Sequence, residues 1–463
     1  MKTLSYTLLL AIMIMLCACD QEEWLDIRSN KKQVVPNTLQ DYQALLDHLK
    51  KMNAVFPSLG EVGTDDYYVS QEDWEAMTSG VALIQHQAYV WAEQVYQPED
   101  QVPSWNYPYT TVYYANVVLD GMKDFSPTAA ETETYHQVVG SAYFYRAWTF
   151  YQLAQIFCPP YEAATAAENP GLPLRLEADI NIPSKRASLQ RTYDQILEDL
   201  NAALPLLPDT PLEATRPSRA SVYALMAKLF LQTGEYDLAL TAADNSLQLF
   251  STLMDYNTID ASSAYPFQPL NAETLFYNRM SYVSTGTLSS RRLKIAPNLI
   301  NSYEEHDLRK TLFYKQSGDE YQYRGSYDGG NFFAMYFFSG IAADELYLIR
   351  SECHARAGHS SQALDDLNTL LSTRYESGYF APVAITNEDE LLNRILLERR
   401  KELVFRGIRW ADLRRYQAID QQAISITRQI GDQEYQLPSG DPRWTLPLPY
   451  NVISLTNMEQ NER

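Results

Sequence analysis

The chain offers few side chains arranged to break bonds. The run with the most ionisable groups is Glu398-Arg399-Arg400-Lys401-Glu402. On a helix, its acids and bases form a salt-bridged face, not two carboxylates facing each other across a cleft. Arg409 and Trp410, further along, are expected to pack their helix onto its neighbours. His354 and His359 straddle Gly358, which places them on different faces of a helix. No zinc-type ligand spacing, nucleophile elbow, phosphate loop or dinucleotide glycine pattern occurs, so no metal, cofactor or catalytic activity is expected. Asp328-Gly329-Gly330-Asn331 reads as a plain turn, with weak Ca²⁺ ligation as the lesser alternative.

The chain is instead rich in flat, amphipathic rings. It carries 34 Tyr and 7 Trp against 6 His and 4 Cys. Sugar recognition needs apolar faces for ring C–H groups and fixed donors and acceptors for hydroxyls, and aromatic residues beside Asp or Asn supply both. Two clusters fit: Asp65-Asp66-Tyr67-Tyr68 with Trp74, and Trp105-Asn106-Tyr107-Pro108-Tyr109. The loop from Tyr265 to Phe267 is a third. The alternative for all three is packing between helices. Tyr143, Tyr145 and Tyr151 lie inside a helical run and are expected in the core. A net charge of −21 opposes binding to nucleic acid or to an anionic membrane through a basic patch.

These clusters must be held by helices, which dominate the pattern. Thr38 caps a helix running to Leu49, and helices are also predicted over 105–123 and 131–157, the latter ended by Pro159-Pro160. Tyr223–Leu247 and Tyr347–Leu371 align without gaps, matching Gly234 to Gly358 and Ala239-Leu240 to Ala363-Leu364. Each reads as helix, glycine turn, helix, the pattern of a tetratricopeptide unit. Residues 189–207 look like another second helix, and one further helix is predicted over 387–416. The helix pairs fall near 131–250 and 342–416, inside a single domain over 39–463. Segments 53–110 and 251–340 read as irregular and aromatic, as functional surface often is. In the second, Tyr321–Tyr323 and Asn331–Phe338 are expected to be short strands around the Asp328-Gly329-Gly330 turn.

The first 18 residues read as a secretory signal, one Lys followed by a short apolar run. Leu16-Cys17-Ala18-Cys19 resembles a bacterial lipobox, which implies lipidation of Cys19 and a tether over 19–38. The acids behind it, Asp20, Glu22 and Glu23, resemble a surface-export signal of Bacteroidetes lipoproteins. Cys158 and Cys353 are expected as separate buried thiols, with a disulfide as the lesser alternative.

Taken in order, these features resemble the SusD/RagB family of outer-membrane nutrient-binding lipoproteins. The resemblance rests on the lipobox, Glu23-Trp24-Leu25-Asp26, Ala142 to Ala147 and Arg216 to Leu225. Asp344 to Glu352, Glu398 to Leu413 and Leu446-Pro447-Leu448-Pro449 complete it. It implies a mostly α fold, a right-handed superhelix of tetratricopeptide-like helix pairs with a loop-rich, ligand-facing subdomain and a few short strands. It also implies a SusC-like TonB-dependent transporter as partner, with this chain as its lid at the cell surface. The implied ligand is an oligosaccharide or, in some relatives, a peptide. Trp105 and Asn106 stand roughly where a ligand-contacting Trp and Asn stand in the family. The chain is shorter than many members, so its ligand loops are expected to be trimmed.

Overall fold

The first helix shows how locally the chain decides its elements. In the computed structural model, which describes residues 36–281, 283–330 and 336–463, helix α1 is Leu39–Leu46. The Thr38 hydroxyl accepts the Asp41 amide at 3.2 Å, and Asp41 accepts the Thr38 amide at 3.0 Å, which satisfies two otherwise orphaned donors. The other main helices are α2 (Pro103–Met122), α3 (Thr132–Phe157), α4 (Leu189–Ala203), α5 (Arg219–Thr233) and α6 (Tyr236–Leu249). They continue with α7 (Ala343–Arg356), α8 (Ser360–Ser372), α9 (Glu388–Glu402) and α10 (Arg409–Ala418).

Helices α2, α3 and α4 pack in succession, α5 packs on α6, α6 on α7, and α7 on both α8 and α9. The result is a mostly α, superhelical layer of helix pairs, as the sequence predicts. The two repeat units close in the same way. Gly234 and Gly358 take φ of +78° and +74°. The next amide, Glu235 or His359, donates back to the carbonyl five residues earlier, Phe230 or His354, at 2.9 Å in both. Small residues let the paired helices approach: the Ser351 hydroxyl donates across to the Ala363 carbonyl at 2.7 Å.

Helix α3 is interior for most of its length. Phe276, from the irregular stretch, sits edge-on to Phe144 and Trp148 at 4.8 and 5.3 Å, so that stretch is tied to the helix layer by rings. Strands among the described residues form five two-stranded ladders. Cys158 and Cys353 are free and buried, and burial pushes both thiols up to about 12, which makes them unreactive.

Four local expectations need correction. The helix predicted over 387–416 is two helices, because the chain breaks after Glu402. Phe405 and Gly407 take φ of +58° and +75°, and a Cβ on Gly407 would lie 2.2 Å from the Phe56 ring. The strand Glu320–Tyr323 pairs with Tyr314–Ser317 through a turn at Gly318, and not across Asp328-Gly329-Gly330. A turn does form there, with the Gly329 amide donating to the Ser326 carbonyl at 2.9 Å. Segment 53–110 contains short helices, Leu59–Val62, Gln71–Glu75 and Gly80–Tyr89, and the start of α2. His354 and His359 have ring centroids 5.7 Å apart, because the glycine turn folds the chain back. Cys19, the signal, the tether up to residue 35 and the strand at 331–335 lie outside the described residues.

Candidate functional site

The site is built from the inside outward, beginning with α9. Glu398, Arg399, Lys401 and Glu402 are all buried, so the run is not a solvated face. Arg309 donates to Asp307 at 2.7 Å, to Glu398 at 2.6 Å and to Glu402 at 3.0 Å. Arg374 donates to Glu402 and Glu273, each at 2.8 Å, and lies 4.0 Å over the Tyr256 ring. Glu273 accepts the Tyr327 hydroxyl at 2.6 Å, and Arg406 covers the Tyr327 ring at 4.0 Å. This network clamps the irregular stretch to α9. Glu273, Asp344 and Glu402 come close enough together to hold a cation, but Arg374 and Arg406 already supply the positive charge there.

The same logic consumes the first predicted cluster. Asp65 accepts two bonds from Arg409 at 2.8 Å, and Asp66, fully buried, accepts from Arg400 at 2.7 Å. Burial raises the Asp65 carboxyl, but Arg409 and Arg400 outweigh it and hold it well below the usual carboxylate range. Tyr67 is buried, its hydroxyl on the Val62 carbonyl at 3.0 Å and on Thr287 at 2.8 Å. Tyr68 alternates outward along the strand and is exposed. Trp74 stacks on His86 at 3.8 Å.

Glu61, beneath this cluster, behaves oppositely. Burial, reinforced by the charge of Asp66, pushes its carboxyl up to about 8. The folded state then holds a proton that the unfolded chain releases above pH 4.5, so this group's contribution falls as pH rises from 4.5 to about 8. Glu61→Gln, which removes the charge, is expected to gain stability relative to the parent between pH 5 and pH 8.5, by roughly 3–5 kcal/mol at the upper end. Thermal melts of both proteins at the two pH values check this. An equal difference at both would show that Glu61 is ionised in the fold.

The second cluster divides. Trp105 is buried, edge-on to Phe157 at 5.0 Å and tilted on Tyr109 at 4.7 Å, so it is core and offers no face to a ligand. Tyr109 is half-buried and its hydroxyl donates to the Pro173 carbonyl at 3.1 Å. Asn106 is half-exposed and donates to Gln101 at 3.0 Å. Of this cluster, Tyr107 alone lines a cleft, between the chain near Lys50 and the start of α2. In the third, Phe267 is buried among Tyr256, Phe313 and Tyr327, and Tyr265 is half-buried over Gly330. The three predicted clusters are therefore not brought together.

The cleft has a volume of about 360 Å³ and lies between the chain at 48–55, the first turns of α2, residues 279–281 and 283–284, and Tyr336. Backbone bonds pin Arg279 and Met280: the Arg279 amide donates to the Asn53 carbonyl at 2.9 Å, and the Met280 amide to the Phe337 carbonyl at 2.8 Å. The Thr111 hydroxyl donates to the Lys51 carbonyl at 2.6 Å, which holds the Lys50-Lys51 turn against α2. The Arg279 guanidinium lies 4.2 Å over the Tyr336 ring, a fixed plate with a cation behind it. Sequence reasoning missed Lys50, Lys51 and Arg279. Tyr336 was visible only as part of an aromatic run read as a strand.

A larger groove of about 640 Å³ runs past Arg414, Trp444 and Asn461. Its tryptophan is buried against Trp410, at 4.8 Å, and donates its N–H to the Pro438 carbonyl, so it presents no stacking face.

Comparison with known proteins follows the same division of the chain. A SusD-like family model, described as starch-binding and associating with the outer membrane, matches residues 23–231, and a SusD family model matches residues 341–462. SusD-like protein P2 of Formosa agariphila is 26% identical over 339 residues, 60% of this chain. That match spans 65% of the relative's length, just under two thirds. Among solved structures, a SusD superfamily protein from Bacteroides thetaiotaomicron superposes with a TM-score of 0.75 at 20% identity, over 92% of this chain and all of that one. A laminarin-binding SusD-like protein superposes with a TM-score of 0.62 at 17% identity, over 91% of this chain and 97% of that one. Among the described residues no helix is long and apolar enough to cross a membrane. The two family matches together take in well over half of the sequence, and they bracket the helix layer at both ends. The chain belongs to the SusD/RagB family.

Proposed function

We propose that this chain captures oligosaccharides at the cell surface and passes them to a SusC-like TonB-dependent transporter, for which it serves as a lid. Cys19 is its lipid anchor in the outer membrane, and no bond is broken in the ligand. The observation that carries this reading is the cleft. It combines two tyrosine faces, Tyr107 and Tyr336, with hydroxyls and cations in a volume suited to a few sugar rings. Among the described residues, none that line it is Asp or Glu, whereas glycoside hydrolysis ordinarily requires a pair of carboxylates. The family model's description as starch-binding and outer-membrane-associated agrees with this reading.

Calorimetric titration with a glycan panel that includes starch and laminarin oligosaccharides is the test. Tyr107→Ala and Tyr336→Ala are each expected to weaken binding about tenfold, the loss of one stacking face at roughly 1–1.5 kcal/mol. Unchanged affinity in both would remove the cleft from the reading. Labelled palmitate that enters the parent but not Cys19→Ser, and co-purification with an outer-membrane barrel, check the anchor and the partner.

A further inference from the structure

The charges in this cleft run against those of the molecule. The chain has 58 acidic residues against 37 Lys and Arg. Among the described residues that line the cleft there is no Asp or Glu, but there are Lys50, Lys51, Arg279 and His48. The acid next to this turn, Asp47, is taken up by Arg216 at 2.6 Å. Among the described residues neither Lys50 nor Lys51 has an ion-pair partner. Lys50 is exposed and Lys51 half-buried. Arg279 is different: buried Asp328 lies 3.8 Å from its guanidinium and Tyr336 lies under it, so its charge is partly answered and its position is set.

We infer that the ligand of this cleft is an anionic oligosaccharide, whose carboxylates or sulfate esters are met by Lys50 and Lys51 while its ring faces rest on Tyr107 and Tyr336. The inference rests on the reading of this cleft as the glycan site and names the substrate class. The hydrogen-bond inventory supports it. Ammonium and guanidinium groups donate and accept nothing. A neutral sugar presents hydroxyl donors and would be best met by carboxylates or carboxamides, and among the described residues the lining contains neither. An anionic sugar gives these donors charged acceptors in place of neutral hydroxyls, and charge-assisted bonds are stronger than neutral ones. Lysine is a point charge on a flexible stem, so it serves a carboxylate or a sulfate without demanding one geometry. A local positive patch in an otherwise acidic surface also selects against neutral competitors by the charge term alone.

The test uses two matched pairs of probes in titration calorimetry. One pair is oligogalacturonate and its fully methyl-esterified form; the other is a carrageenan oligosaccharide and its desulfated form. Each pair keeps its backbone and loses its charge. In at least one pair the charged member is expected to bind about tenfold tighter or more at low ionic strength. That advantage is expected to shrink as salt is added and to disappear in the double variant Lys50→Glu, Lys51→Glu. Both lysines project from the surface of a short helix, and a circular dichroism melt checks that this variant folds. Preference in the first pair identifies carboxylate as the anion, and in the second, sulfate. Equal binding of charged and neutral members overturns the inference and leaves the glycan reading standing. So does a preference that survives charge reversal, or binding of neutral glycans alone. Silence toward both pairs and the whole glycan panel removes the glycan reading and the inference together.

Discussion

Arg374→Met is expected to lower the unfolding free energy by about 3–5 kcal/mol, the usual cost of removing one partner from a buried ion network. Arg374 is fully buried and makes charge-assisted bonds to Glu402 and Glu273, with Asp344 4.0 Å away. Methionine matches much of its volume, so little of the loss comes from a cavity. It comes from carboxylates left facing one another without water. The size of the effect should therefore depend on pH. Burial, partly offset by Arg374, already holds Glu273 up at about 7, and without the guanidinium its protonation becomes easier still. The Glu273 part of the variant's deficit should shrink as pH falls toward 7, where the parent's Glu273 also takes up its proton, and Glu273→Gln added to Arg374→Met should recover part of it at higher pH. Urea midpoints for the parent, both single variants and the double variant decide the matter. A loss under 1 kcal/mol in Arg374→Met would mean that the network is hydrated and contributes little.

Trp105→Ala is expected to cost a similar amount, about 3–5 kcal/mol, by opening a cavity between α2 and α3. The reason is position. Trp105 lies one turn into α2 with its ring on Phe157 and Tyr109, facing away from solvent. Two residues on, Tyr107 occupies another face of the same helix and reaches the cleft. The two aromatics thus separate experimentally. Trp105→Ala should melt earlier yet bind a glycan within about threefold of the parent at low temperature, whereas Tyr107→Ala should melt normally and bind about tenfold more weakly. A Trp105→Ala protein of unchanged stability that has lost binding would return Trp105 to the site and show that its burial is relieved when ligand enters.

Burial of charge accounts for most of the distance between the expected and the observed site. Asp65 and Asp66 beside two tyrosines satisfy every local criterion for sugar recognition. They are consumed by Arg400 and Arg409, more than three hundred residues away in the chain. Likewise Glu398 to Glu402 has the spacing of an ordinary solvated helix face, and becomes interior because Arg309 and Arg374 arrive from other segments with matching charge. Much of the tyrosine excess has the same explanation. Tyr256, Tyr303 and Tyr327 bury their rings under arginine or lysine and their hydroxyls on acids, other tyrosines or the backbone.

Local sequence was not enough for the break after Glu402 or the short helices within 53–110, but it was enough for most of the long helices, the Thr38 cap and the two glycine turns. Each depends on residues within a turn of one another, as in Thr38 with Asp41, or Gly234 and Gly358 at the only conformation that lets the chain reverse there. Those elements, in order, were also enough to indicate the family. The tertiary structure alone decided which polar and aromatic groups line a cleft. A carboxylate is open to a ligand only if no cation from elsewhere in the fold has claimed it, and a ring only if it is not packed into the core, and both outcomes are set by the packing of distant segments. That competition removed Trp105, Phe267, Tyr67 and Asp66 from the ligand surface. The same packing gathered Tyr107 and Tyr336 into one cleft with Lys50, Lys51 and Arg279, from four separate stretches of the chain.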